Sequence, residues 1–140
     1  MDINFFFEDL DEISLSKDMD IQWIDSCIKK YSKKTGDLNF IFCSDSYLLQ
    51  INKQYLKHNY FTDIITFDSC ENNLISGDIY ISVDRVVENA EKFKVSFFNE
   101  LHRVMIHGVL HLLGLNDSDE DEKAVMREAE NECLNFYKNI

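Results

Sequence analysis

Val104-Met105-Ile106-His107-Gly108-Val109-Leu110-His111-Leu112-Leu113-Gly114 is the stretch on which the fold of this chain turns. From Glu100 to Leu113 apolar residues fall almost all the way round a helical wheel, and a helix with no wet face belongs at the centre of a fold. Within it His107 and His111 are one turn apart, about 40° on the wheel, so they share a face and can share one ion. A buried polar group left without a partner costs roughly 1–3 kcal/mol, so two imidazoles on a core helix call for one. Gly114 then ends the helix as a C′ glycine does, and the reversed chain can bring Asp117 back over the histidine face.

The other elements are arranged around this helix. Ile3 to Phe7 reads as a strand, and Asp18 or Asp20 is suited to cap a helix running to about Lys34 and ended by Gly36. Leu38 to Cys43 alternates as a strand. Ser44 to Leu56 carries Leu48, Ile51 and Tyr55 at helical spacing. Thr62 to Phe67 and Gly77 to Val83 read as two more strands, and Asp84 is placed to cap a helix to about Phe93. Helices from Ser96 to Leu113 and from Ser118 to about Tyr137 complete the chain. Strands and helices alternate, except that no helix separates the Thr62 and Gly77 strands. That break predicts an α+β fold: a small mixed four-stranded sheet packed with helices, the central buried helix carrying the histidines. With 140 residues, no proline, four glycines and no low-complexity run, residues 1–140 are expected to form a single domain.

Composition narrows the function. The start, Met1-Asp2-Ile3-Asn4, has no basic region before an apolar stretch, and no apolar run is long enough to span a bilayer, so a cytoplasmic protein with no membrane partner is expected. Cys27, Cys43, Cys70 and Cys133 stand singly, fitting buried reduced thiols rather than a disulfide framework or a thiolate metal site. The net charge of −12 argues against a polyanionic partner, yet eight of the 26 acids lie between Asp2 and Asp25 and eight between Asp117 and Glu132. The middle is neutral, with small basic clusters at Lys29, Lys30, Lys33 and Lys34 and at Lys53, Lys57 and His58. On helices such charges commonly form no more than a solvated face.

The pattern His107-x3-His111-x2-Gly114-x2-Asp117 has the spacing of the metzincin ligand set, with Asp in the last position. Three protein ligands leave coordination open, the arrangement of a catalytic site. Two other assignments stand beside this one. The histidines could be hydrogen-bonded core groups, and Asp117, Ser118 or Asp119 could each N-cap the last helix, Ser118 with Asp121 resembling a weak capping box. His102 lies about 140° round the wheel from His107 and falls outside the shared face, as a surface or packing residue. Gly108 stands where a zincin protease has its glutamate base and has no side chain to accept a proton, which disfavours peptide hydrolysis. Close helix packing is an equally good reason for a glycine there.

The run from Val104 to Gly114 closely resembles the His-Gly-x-Leu-His-Leu-x-Gly-Tyr-Asp-His signature of the YbeY family. Three further stretches agree in order and spacing: Ile51-Asn52-Lys53-Gln54-Tyr55, Thr62-Asp63-Ile64-Ile65-Thr66-Phe67 and Gly77-Asp78-Ile79. Together they cover most of the chain from about Asn39 onward. The resemblance implies a metal-dependent, single-strand-specific endoribonuclease of ribosomal RNA maturation. It implies one divalent metal, with Zn2+ expected, on His107, His111 and Asp117. Ribosomal RNA, the small ribosomal subunit, ribosomal proteins and an assembly GTPase are its implied partners. The chain departs from the family at three places, one of them Leu115-Asn116 where the signature has Tyr-Asp. Asp117 replaces the third histidine, which lowers the charge on a bound dication and lets harder metals compete. The family's arginine falls on Leu56, leaving Lys57 and His58 as the nearest candidate cations for neutralising phosphate. A non-catalytic small-subunit assembly factor with a structural metal, and a zincin-like metallopeptidase, are the alternatives.

Overall fold

The computed structural model describes residues 1–138. Its elements run β1 (Asp2–Phe7), α1 (Lys17–Lys30), β2 (Lys34–Cys43), α2 (Asp45–Leu56), β3 (Ile64–Asp68), β4 (Leu74–Ser82), α3 (Val83–Phe93), α4 (Phe97–Leu112) and α5 (Glu120–Tyr137). The four strands form one sheet in the order β1-β2-β4-β3. β1, β2 and β4 are parallel, and β3 runs antiparallel to β4, as a direct connection without a crossover helix requires. The expected mixed four-stranded α+β sheet is therefore present.

One face of the sheet carries the main core. Leu38, Phe40 and Phe42 of β2 and Ile79 and Ile81 of β4 alternate toward it, the period-2 pattern of a strand with one face covered. They meet Trp23, Ile24 and Ile28 of α1 and Leu101, Met105, Ile106, Val109 and Leu110 of α4, all fully buried. α4 lies against β3 and β4 on one side and α3 and α5 on the other, which makes it the central helix its composition predicts. On the opposite face α2 closes a smaller cluster of Cys43, Leu48 and Ile65.

Gly108 fits the close-packing explanation. A Cβ there would lie 2.9 Å from both Ile64 Cδ1 and Ile79 Cγ2, so a bare backbone lets α4 settle onto β3 and β4. This position points into the sheet, away from the face that carries His107 and His111.

Several boundaries differ from the sequence reading, each for a local reason. α1 stops at Lys30, and Ser32 turns the chain with φ +60°, so Lys34 opens β2. Gly36 lies inside β2, where the register against β4 shifts between Thr35 and Leu38 and any Cβ would collide with Ser76 Oγ. Ser16 precedes α1, with Asp18 and Asp20 inside its first turn. Ser82, not Asp84, caps α3, and Asp84 Oδ2 accepts instead from the Asp45 amide that opens α2 at 2.8 Å. Two of the clustered lysines are ion-paired within the molecule: Lys29 with Asp25 at 2.9 Å and Lys30 with Glu132 at 3.1 Å. Of the four free cysteines three are buried and Cys70 is half-buried. Among the described residues no helix is long and apolar enough to cross a membrane.

Candidate metal site

The C-terminus of α4 builds the site. Gly114 takes φ +104°, a left-handed conformation that suits glycine. Its amide donates to His111 O and the Leu115 amide to Leu110 O, both at 3.0 Å, the paired bonds of a Schellman turn. This turn sends the Leu115 carbonyl back over the helix end, where it accepts from His111 Nδ1 at 3.0 Å. A carbonyl can only accept, so the His111 proton sits on Nδ1 and its Nε2 presents a lone pair.

His107 is oriented in the same way from another helix. Its Nδ1 donates to Glu130 Oε2 of α5 at 2.6 Å, leaving its Nε2 bare as well. The two Nε2 atoms face each other at 2.9 Å. Two lone pairs at that distance repel unless a cation or a shared proton stands between them. Asp117 Oδ2 completes a triangle, 3.3 Å from His107 Nε2 and 3.4 Å from His111 Nε2. Ligands roughly 2.0–2.1 Å from a tetrahedral ion lie about 3.3–3.4 Å apart, so the two edges to Asp117 match a small divalent metal and the 2.9 Å edge between the imidazoles is shorter than that spacing. The group could hold a metal ion, and each histidine has the supporting hydrogen bond that metal-binding imidazoles require.

Asp117 is released from the competing role of a helix cap. Asp119 caps α5: its Oδ1 accepts from the Glu122 amide at 2.7 Å, and Glu122 Oε1 accepts from the Asp119 amide at 3.3 Å. The capping box thus falls on Asp119 and Glu122 rather than on Ser118 and Asp121. Asp117, 42% exposed at its side chain, stays turned toward the histidines.

Around the triangle lies a cleft of about 470 Å³ lined by His107, Asp117, Glu120, Lys123, Arg127 and Glu130, among others. A second hollow on the other side of His107 is bordered by Asp63, Glu100, Arg103 and Arg127. Glu130 is buried and held from two sides, by His107 and by Arg103 Nη1 at 2.8 Å. Burial opposes its charge, but those two hydrogen bonds prevail and keep the carboxyl below its ordinary range. For His107, burial likewise opposes the charged form. The Glu130 hydrogen bond and the nearby Asp117 and Asp63 carboxylates outweigh it and raise the imidazole. Asp63 is itself pushed up by burial.

The sequence reading named His107, His111 and Asp117 as one group, and the structure brings these three together. It places Lys57 and His58 elsewhere. Lys57 is the left-handed C-cap of α2, and His58 lines a separate cavity with Asn52, Tyr60 and Thr62. His102 is a packing residue, its Nε2 3.2 Å from buried Asp20 Oδ1 and its ring among Trp23, Phe98 and Tyr137. Glu130, Arg103, Lys123 and Arg127 went unread. The only signal was the spacing of Lys123, Arg127 and Glu130 on one face of α5, which by itself looks like a solvated stripe.

Fold and site together define a helix-centred α+β protein with a candidate His-His-Asp metal site opening on a cleft of mixed charge. The chain belongs to the endoribonuclease YbeY family, whose model, described as "Endoribonuclease YbeY", matches residues 6–138. A protein of Parabacteroides distasonis named Endoribonuclease YbeY is 48% identical over 134 residues, covering 96% of this chain and 94% of that protein. One of the same name from Bacteroides thetaiotaomicron is 50% identical over 113 residues, covering 81% of this chain and 82% of its own length. The fold also resembles the solution structure of a Thermotoga maritima protein, with a TM-score of 0.67 and 26% identity, covering 96% of this chain and 88% of that one.

Proposed function

We propose that this chain, as one domain, is a metal-dependent endoribonuclease of ribosomal RNA maturation in the cytoplasm, with His107, His111 and Asp117 holding one divalent ion. The observation that carries the reading is the convergence of two Nε2 lone pairs and a carboxylate oxygen, with each imidazole tied behind by its Nδ1. Family membership favours the nuclease over the assembly factor and the metallopeptidase. Position 108 agrees, because a side chain there would enter the sheet and offer no base to the site.

A bound ion would supply Lewis-acid stabilisation of the phosphoryl oxygens and a more acidic water. The residues supply the rest. Glu130 fixes the tautomer of His107 while Arg103 balances the charge of Glu130, which keeps an ion site on an apolar helix from becoming an unpaired buried carboxylate. Arg127 and Lys123 line the same cleft and can neutralise the scissile phosphate, the role the sequence assigned to Lys57 and His58. We place those two on the approach of the RNA strand instead. Zn2+ is the metal we expect from two imidazoles, with the Asp117 carboxylate broadening tolerance toward harder ions. The small ribosomal subunit, ribosomal proteins and an assembly GTPase are the partners proposed with it.

The test is metal content together with cleavage of single-stranded ribosomal RNA in purified wild type, His107→Ala and His111→Ala. Loss of both properties in both variants is expected. Wild-type protein that takes up no stoichiometric metal under any reconstitution would defeat the proposal. A folded His111→Ala that still restores ribosomal RNA processing in cells would favour the assembly factor.

A further inference from the structure

Between Asp45 and Asp63 there is no acidic residue, in a chain of 140 residues that has 26 of them. The same stretch leaves Tyr55, Leu56, Tyr60 and Phe61 in solvent, each between 40% and 60% exposed. Neighbouring large apolar side chains on one exposed segment mark an interaction surface. Lys53 and Lys57 stand among them, and neither is ion-paired among the described residues.

The segment is held in shape. Buried Asn52 accepts from the His58 amide at 3.1 Å, and its side-chain amide donates to Tyr60 O at 2.9 Å. The His58 ring stacks on that of Tyr60, centroids 5.1 Å apart and planes 20° from parallel, with Tyr60 Oη and His58 Nδ1 joined at 2.9 Å. These rings are set before any ligand arrives, so little ordering entropy is lost when a flat partner stacks on them. Beside them is a cavity of about 250 Å³ whose border includes Thr62. The next residue, Asp63, borders the hollow beside His107, and Ile64 packs where α4 carries Gly108. Thr62 and Asp63, consecutive just before β3, thus border the cavity beside the rings and the hollow beside His107 respectively.

We propose that Tyr55, His58, Tyr60 and Phe61 form a stacking platform for the bases of single-stranded RNA, with Lys53 and Lys57 on its phosphates, leading the strand past Thr62 to the cleft at His107. The inference rests on the endoribonuclease reading for its ligand class. Charge complementarity favours RNA over a peptide: residues 46–62 hold Lys53 and Lys57 and no acid, in a chain whose net charge is −12. Ring faces accept any unpaired base and none inside a duplex, so the surface selects single strands without reading sequence.

The experiment measures fluorescence anisotropy of the whole metal-loaded protein with a short labelled 2′-O-methyl RNA, presented as a single strand and as a duplex. Tyr60→Ala and Phe61→Ala should each weaken single-strand binding by roughly 5- to 100-fold, the stacking contribution of one base. Tyr60→Trp should retain it, metal content should stay at the wild-type level, and duplex binding should be weak and unmoved. A Tyr60→Ala/Phe61→Ala protein with wild-type melting temperature and unchanged single-strand affinity overturns the platform. So does an equal loss for the duplex. If binding falls as expected but His107→Ala cleaves like wild type, the metal-nuclease reading fails and the platform stands.

Discussion

Replacing Glu130 by Gln changes few atoms but alters the hydrogen-bond accounting of the site. The carboxylate accepts twice, from His107 Nδ1 at 2.6 Å and from Arg103 Nη1 at 2.8 Å, in a buried position. A Gln amide has one acceptor and one donor end. With its oxygen toward His107, its NH2 group faces the Arg103 guanidinium, donor against donor. With its NH2 toward His107, the ring must accept at Nδ1, which moves the proton to Nε2 and removes the lone pair aimed at the ion. Either orientation loses a charge-assisted bond, and the second also loses a ligand. Loss of such a supporting partner typically costs 10- to 100-fold in metal affinity, about 1.4–2.7 kcal/mol. The assay is a competitive chelator titration of wild type, Glu130→Gln and Glu130→Ala with zinc and with manganese. Thermal melts in chelator report the fold separately. Wild-type affinity for both ions in folded Glu130→Gln and in folded Glu130→Ala, which offers His107 Nδ1 no acceptor, would refute the claim that Glu130 sets the His107 tautomer.

Further substitutions test the site and its support. Asp117→Ala should lower metal affinity strongly with little change in the melt. Asp119→Ala should cost about 0.5–2 kcal/mol of stability and leave metal content at the wild-type level, because Asp119 is the cap; the reverse pattern in denaturant melts and metal analysis would exchange the two roles. Gly108→Ala should destabilise the protein by about 1–3 kcal/mol in urea titration, since its Cβ would meet Ile64 and Ile79 at 2.9 Å. Arg127→Ala, and more so Arg127→Ala with Lys123→Ala, should lower the rate of RNA cleavage while metal content holds. Unchanged cleavage kinetics in the double variant would remove α5 from the chemistry.

Much of this protein was legible because its signals are local. An all-round apolar helix has to be central, and two strands joined without a helix have to run antiparallel, so the mixed sheet followed from element order alone. His107, His111, Gly114 and Asp117 were readable together because helix periodicity and a C′ glycine are short-range geometry. Boundaries failed where a longer-range contact overrode a local preference. Gly36 looks like a helix stop until Ser76 on β4 lies against it, and Asp84 looks like a cap until Asp45 on α2 uses it.

The kind of site follows from the order of residues alone: which donors, on which helix, at what spacing, and the absence of a base at position 108. Only tertiary structure decided what stands behind and around those donors. Glu130 reaches His107 from 23 residues away in the chain, because α5 packs against α4. Asp117 is free to face the histidines because Asp119 takes the cap. His58 lies on another cavity, beside the Lys57 C-cap of α2, because Asn52 holds their loop against that helix. Spacing within one helix follows from the backbone alone, whereas a hydrogen bond between two helices depends on how their apolar faces pack, and that packing is settled by the whole core.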